Sequence, residues 1–92
     1  MTRKPIVAGN WKMYKTIPEA MALGNTLRSG AYGISDREVV VAPPFTALAA
    51  VAETLEGSGI ALSGQNTCWE NEGAYTGEIS PIMLKDVGCR YV

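Results

Sequence analysis

The sequence predicts an α/β fold in which parallel strands alternate with helices. Short apolar runs recur along the chain, and segments with helical periodicity and capping signals separate them. Because the apolar runs do not alternate with polar residues, we expect strands with both faces covered, as in a parallel sheet packed against helices. The chain has 92 residues, 47% of them hydrophobic, and a net charge of −1, a balance typical of globular domains.

Four short apolar segments are the predicted strands. The first lies near residues 5–10. The second lies near residues 38–42, where two consecutive prolines end the run because proline has no N–H to donate to a ladder. The third and fourth are expected near residues 60–65 and 89–92.

Capping signals place helices between these strands. Thr16 and Glu19 have the spacing of a capping box at the start of the first helix, and Thr46 is the expected N-cap of the second. Ser80, followed by proline, opens the third helix and Gly88 ends it. The predicted helices lie near residues 17–28, 47–56 and 81–87.

The element order implies one topology, with parallel strands joined by right-handed crossovers. We expect residues 1–92 to form a single segment of one domain. Strand starts recur about every 30 residues, so a barrel of eight such units needs about 250 residues and this chain cannot close one by itself. The pattern leaves two interpretations open: an open-sheet domain, or the first part of a larger barrel.

Composition excludes several classes of function. The chain has no cluster of like charges and no apolar run of about 20 residues, so we expect neither a nucleic-acid partner nor a membrane span. Its two cysteines favour reduced thiols in a cytoplasmic protein over a disulfide framework. Because histidine is absent, chemistry that needs an imidazole cannot be completed by these residues.

Polar side chains follow the predicted strands at their carboxyl ends, where parallel α/β folds bind ligands. Lys12 follows the first strand and suits a phosphate or an oxyanion, the alternative being a solvated loop lysine. Asn10 either orients Lys12 or caps the turn. Gln65 and Asn66 follow the third strand and either satisfy loop backbone or touch a ligand. No metal-ligand cluster or glycine-rich phosphate loop is present, so no metal or cofactor is predicted.

The segment 66–80 is long for a connection inside a compact domain. It contains Trp69 and Tyr75, whose large apolar side chains are costly to leave in water. Two interpretations follow: the loop inserts into a partner surface, or it folds back on its own domain.

Five motifs along the chain resemble the triosephosphate isomerase family. They stand in the family's order and spacing, and together they are far more specific than the first motif alone. The motifs are AGNWKM at 8–13, VAPP at 41–44, GQN at 64–66, GAYTGEIS at 73–80 and KDVG at 85–88.

The resemblance implies the fold and the reaction. The fold would be the N-terminal part of a (β/α)8 TIM barrel. The reaction would be the isomerisation of dihydroxyacetone phosphate and glyceraldehyde 3-phosphate through an enediolate, without cofactor or metal. Asn10 and Lys12 match the family's substrate-contacting pair. Lys12 would balance the phosphate and the negative charge that develops on a substrate oxygen.

The resemblance also implies a homodimer assembled through the 66–80 loop. Thr76, at the loop tip, matches the residue that reaches the Asn10–Lys12 turn of the neighbouring subunit. The other positions matching the interface are Met13, Gln65, Tyr75, Gly77 and Glu78.

The family's histidine electrophile and glutamate base have no counterpart at matching positions among these 92 residues. We therefore expect an N-terminal fragment that is inactive in isolation. The alternative is a non-enzymatic part-barrel module that needs a complementary chain to cover its open sheet edges. An independent flavodoxin-like binding domain is disfavoured, because Asn10-Trp11-Lys12 supplies neither a phosphate-binding loop nor an acidic cluster.

Overall fold

The computed structural model describes residues 3–92 and contains one sheet of four parallel strands. Spatial order follows chain order, because each connection adds the next strand to the same side of the sheet. The fold class predicted from the sequence is thereby confirmed: the open sheet has the architecture of the first part of a (β/α)8 barrel. The strands are β1 (Ile6–Asn10), β2 (Glu38–Ala42), β3 (Ala61–Ser63) and β4 (Cys89–Tyr91).

Three helices connect these strands: α1 (Ile17–Gly30), α2 (Leu48–Thr54) and α3 (Pro81–Val87). A 3-10 turn, Phe45–Ala47, precedes α2, so Thr46 lies inside this turn instead of capping a helix that begins near 47. Pro44 has an extended backbone and its carbonyl accepts the Ala47 N–H at 3.0 Å, which starts the chain turning before α2 forms.

β3 is shorter than the six residues expected near 60–65. It pairs with β2 only at Ala61 and Leu62, and its register with β4 shifts between Leu62 and Ser63. This irregularity ends the regular ladder at Ser63. The residues that follow leave the sheet, and Gln65 contacts the loop after β1.

Two of the predicted caps have the expected geometry. The Glu19 carboxylate accepts hydrogen bonds from the Thr16 N–H and from its hydroxyl, each at 2.9 Å. The backbone hydrogen bond, the hydroxyl and the nearby Lys15 charge together hold the pKa of Glu19 below its ordinary value. Ser80 Oγ accepts the Met83 N–H at 3.2 Å at the start of α3.

The core lies between the sheet and the helices. It is built from small and branched apolar residues together with Trp11, which is 9% exposed and packs into it. Where α1 packs against α2, Gly24 leaves room for Thr54, whose Cγ2 atom would lie 3.2 Å from an added Cβ. The other buried members are Ala20, Val41, Ala47, Leu48, Val51, Leu55, Leu62 and Leu84.

The expectation that the strands have both faces covered is wrong for β1. All five of its residues are exposed, and the neighbouring side chains Ile6 and Val7, on opposite faces, are 54% and 53% exposed. The reason is that no element of residues 3–92 covers the faces of β1, and because β1 pairs only with β2 its other edge is open as well. β2 is better covered, with Val40 and Val41 buried.

A polar contact crosses the sheet from β4 to β2. Tyr91 donates its hydroxyl hydrogen to Glu38 Oε1 at 2.8 Å, and an Arg90 nitrogen lies 3.4 Å from the same oxygen. The hydrogen bond to this carboxylate raises the pKa of Tyr91, because the bond is lost when the phenol ionises. The contact fixes the two strands on either side of β3.

Candidate functional site

The loops after β1, β2 and β3 meet at the carboxyl end of the sheet. The Trp11 N–H donates to the Ala42 carbonyl at 3.0 Å, which holds the chain after β1 against the end of β2. Gln65 Nε2 donates to the same carbonyl at 2.8 Å. Three connections are thereby held together at the edge of the sheet where ligands bind in parallel α/β folds.

Lys12 has an unusual backbone conformation at the centre of this site. Its φ is +55°, in the left-handed region that non-glycine residues rarely occupy and that costs about 1–3 kcal/mol. Asn10 Oδ1 accepts the Lys12 N–H at 2.9 Å, and Gln65 Nε2 donates to the Lys12 carbonyl at 2.9 Å. Side chains from the end of β1 and from the loop after β3 therefore hold the polar groups on both sides of the Lys12 Cα atom.

The Lys12 ammonium is available to a ligand. Lys12 is exposed, and within the described part of the chain both ion pairs involve arginines, Arg37 with Asp36 and Arg90 with Glu38. A cation that no carboxylate neutralises can attract a phosphate or stabilise an oxyanion. Asn10 lies beside Lys12, with its side-chain oxygen oriented towards the lysine backbone.

The 66–80 loop is closed at its neck and open at its tip. The Cys68 N–H donates to the Ile79 carbonyl at 2.7 Å, and the Thr67 hydroxyl donates to the same carbonyl at 3.3 Å. Beyond this neck, every residue from 69 to 78 is exposed, with Trp69 88% exposed. The loop does not bury its tip against its own domain.

The six positions that the resemblance assigns to an interface are all exposed in this chain. Met13 is 94% exposed and Tyr75 48% exposed, although both are large apolar side chains. Phe45, in the turn after β2, is also 52% exposed. Exposed apolar side chains at this density are typical of surfaces that a partner covers.

The sequence alone did not reveal the part that Gln65 plays in this geometry. One of its two readings, that it satisfies loop backbone, describes the contacts found, but the sequence could not show that one acceptor is the Lys12 carbonyl, 53 positions away. Nor did any sequence signal mark the left-handed conformation of Lys12, since lysine is not a residue type that favours it.

Residues 3–92 contain no cluster of three or more histidine, cysteine, aspartate or glutamate side chains that could hold a metal ion. In the same range, no helix has both the length and the apolar character needed to cross a bilayer.

Comparison with known proteins identifies the relatives of this chain. The family model described as triosephosphate isomerase matches residues 5–92. The triosephosphate isomerase of Syntrophotalea carbinolica is 56% identical over 90 residues, which cover 98% of this chain and 36% of that protein. The one from Chloroflexus aurantiacus is 57% identical over 90 residues, with the same coverage. The chain therefore spans about a third of the length of the curated relatives it matches.

Proposed function

This chain belongs to the triosephosphate isomerase family, and we propose that it supplies the substrate-contacting lysine of an enzyme that interconverts dihydroxyacetone phosphate and glyceraldehyde 3-phosphate. One observation carries the proposal. The unpaired Lys12 ammonium stands at the carboxyl end of the sheet on a strained backbone that Asn10 and Gln65 hold in place. Strain of this kind persists where the surrounding structure maintains it, and it concentrates at functional sites.

Lys12 acts electrostatically in this proposal. Its charge offsets the charge of the substrate phosphate. It also stabilises the oxygen that becomes negative as the enediolate forms, because a preorganised cation lowers the energy of a transition state in which negative charge develops. Asn10 contacts the substrate beside Lys12. Its Oδ1 also accepts the Lys12 N–H, which stabilises the turn after β1. No proton transfer is assigned to either side chain.

The proton-transfer groups lie outside these residues. The family is itself a standard example of a glutamate base paired with a neutral histidine electrophile. The 92 residues contain no histidine. Because a positioned base or acid contributes about 10²–10⁴-fold to such a reaction, we expect no measurable turnover from these residues alone.

We further propose a homodimer assembled through the 66–80 loop, with the exposed Thr76 approaching the Asn10–Lys12 turn of the neighbouring subunit. The exposed Met13 and Tyr75 support this interface. Glycolysis and gluconeogenesis are the processes in which such an enzyme acts. A cytoplasmic location accords with the free thiols of Cys68 and Cys89.

The test uses a chimaeric enzyme, in which this chain replaces the 90 matching residues of the Syntrophotalea carbinolica protein. We expect it to isomerise triose phosphates. Lys12→Met should lower kcat/KM by at least about 10²-fold, because the cation that stabilises the developing charge is lost. The measurement is a steady-state assay in both directions.

Lys4→Met is the matched control. Lys4 is an exposed lysine that lies before the amino end of β1, whereas Lys12 lies after its carboxyl end. Its activity should equal that of the unmodified chimaera. Equal activity of the Lys12→Met and Lys4→Met enzymes would refute the proposed role of Lys12.

The open edge of β1 favours a second candidate function, a part-barrel module that binds a complementary chain without catalysis. Ile6 and Val7 are the exposed side chains that such a partner would cover. The same chimaera separates the two functions, since an assembly module predicts a folded but inactive chimaera.

A further inference from the structure

We propose that Gln65 is a positioning residue that fixes the Lys12 backbone in its left-handed conformation and thereby sets where the ammonium stands. This inference rests on the proposed function of Lys12. It assigns to Gln65 a role inside one subunit, in addition to the interface position that the family resemblance gives it.

The Gln65 side-chain amide donates to two backbone carbonyls. Its Nε2 lies 2.9 Å from the Lys12 carbonyl oxygen and 2.8 Å from the Ala42 carbonyl oxygen. A primary amide nitrogen carries two hydrogens, and both are used here. The amide oxygen could not take this place, since it would face two other acceptors. Gln65 therefore bridges the ends of two connections that are far apart in sequence.

The Gln65 bridge offsets the cost of the left-handed backbone at Lys12. A lysine at φ +55° would relax to a commoner conformation if its flanking peptides were free. Asn10 restrains only the Lys12 N–H side. The carbonyl side is restrained by Gln65, so removal of the Gln65 amide frees that peptide to rotate while the Asn10 contact remains.

The Ala42 carbonyl, which accepts the second Gln65 hydrogen bond, is itself fixed by its contact with Trp11. The Ala42 carbonyl also accepts the Trp11 N–H at 3.0 Å, and Trp11 is buried in the core. The second Gln65 hydrogen bond therefore ties the Lys12 turn to a backbone atom that packing already fixes. Because Gln65 is hydrogen-bonded to the end of β2, it can hold the backbone of the exposed Lys12 in one position.

The test is Gln65→Met in the chimaeric enzyme, because methionine keeps the length and removes the donor. We expect kcat/KM to fall by about 10–100-fold, the cost of misplacing a group that acts on the reacting atoms. The affinity for inorganic phosphate, used as a competitive inhibitor, should fall in parallel. Gln65→Glu should lose at least as much, since it places an acceptor against two carbonyls.

A double-mutant cycle distinguishes positioning from a general structural effect. If Gln65 acts through Lys12, adding Gln65→Met to Lys12→Met should cause no further loss of activity. An undiminished additional loss in that background would overturn the inference. So would a Gln65→Met enzyme whose activity and phosphate affinity recover fully at protein concentrations that restore the dimer, because the effect would then lie in assembly.

Asn25→Met is the control, since Asn25 is an exposed amide on α1, outside the site, and its side chain makes no hydrogen bond within residues 3–92. It should leave kcat/KM within about twofold. If Lys12→Met abolishes activity while Gln65→Met does not, this inference fails and the proposed function stands. If Lys12→Met keeps full activity, the proposed function fails and the inference fails with it.

Discussion

Lys12 shows how a single residue is made functional by its neighbours. Its left-handed backbone is unfavourable on its own, and two amide side chains, Asn10 and Gln65, hold its two flanking polar groups. Both amides form hydrogen bonds of 2.9 Å with uncharged backbone groups, so neither contact depends on a charge. The positions of three residues are therefore coupled, and a change at any of them alters where the cation stands.

Glu19 gives a residue-scale prediction about pH. Hydrogen bonds from Thr16 hold the pKa of the folded-state Glu19 below its ordinary value of 4.5. The carboxylate therefore stabilises the fold above about pH 4.5, and this contribution is lost as the pH falls through the lower, folded-state pKa. In the chimaeric enzyme, Glu19→Gln should lower the thermal midpoint at pH 7, and lower it by less at a pH below 4.5. A midpoint difference that does not change between these pH values would contradict this account.

At the scale of elements, Arg28 links the ends of two helices. It lies in the last turn of α1, and its Nη1 donates to the carbonyls of Thr54 and Glu56 at 3.0 and 2.6 Å. These carbonyls lie at and just after the end of α2, where backbone acceptors lack partners inside the helix. The contact adds to the close packing that Gly24 permits between α1 and α2.

We predict that Arg28→Met in the chimaeric enzyme lowers the free energy of unfolding by about 1 kcal/mol, because charge-assisted hydrogen bonds to two carbonyls are lost from an exposed side chain. Denaturant titration measures this change. Arg37→Met is the control, since Arg37 pairs only with its exposed neighbour Asp36. An equal loss in both variants would show that Arg28 contributes no more than an exposed arginine.

For the whole molecule, the main feature is its uncovered apolar surface. The described residues form a layer measuring 43 × 38 × 21 Å, with β1 open at one edge and on both faces. Apolar side chains of the 66–80 loop and of the turn after β1 are also exposed. Two kinds of partner are therefore expected: further strands and helices beside β1, and a second subunit around the loop.

The loop carries the prediction at this scale. Thr76→Arg places a long cation at the proposed dimer interface, beside the Lys12 turn of the neighbouring subunit, so the chimaeric enzyme should shift from dimer to monomer and lose activity. Sedimentation velocity measures the first effect and the isomerase assay the second. Asn25→Arg, on the exposed side of α1, is the control and should remain dimeric. A Thr76→Arg enzyme that stays dimeric and active would exclude this loop tip from the interface.

Local patterns in the sequence determined much of the fold. The apolar runs identified four strands, and the signals at Thr16, Ser80 and Gly88 marked helix ends, because each acts over only a few residues. The resemblance carried by the five motifs identified the family, which the family model confirms over residues 5–92. The beginning of α2 was less predictable, since Pro44 and the turn after it compete with the capping signal of Thr46.

Only the tertiary structure decided how the site is held. Gln65 meets Lys12 from 53 positions away because parallel crossovers bring the ends of β1, β2 and β3 to one edge, and no local signal encodes that meeting. The left-handed Lys12 is likewise stabilised by contacts from outside its own segment. The exposure of β1 also depends on which elements lie beside it. Its apolar sequence indicates only that the strand is suited to burial.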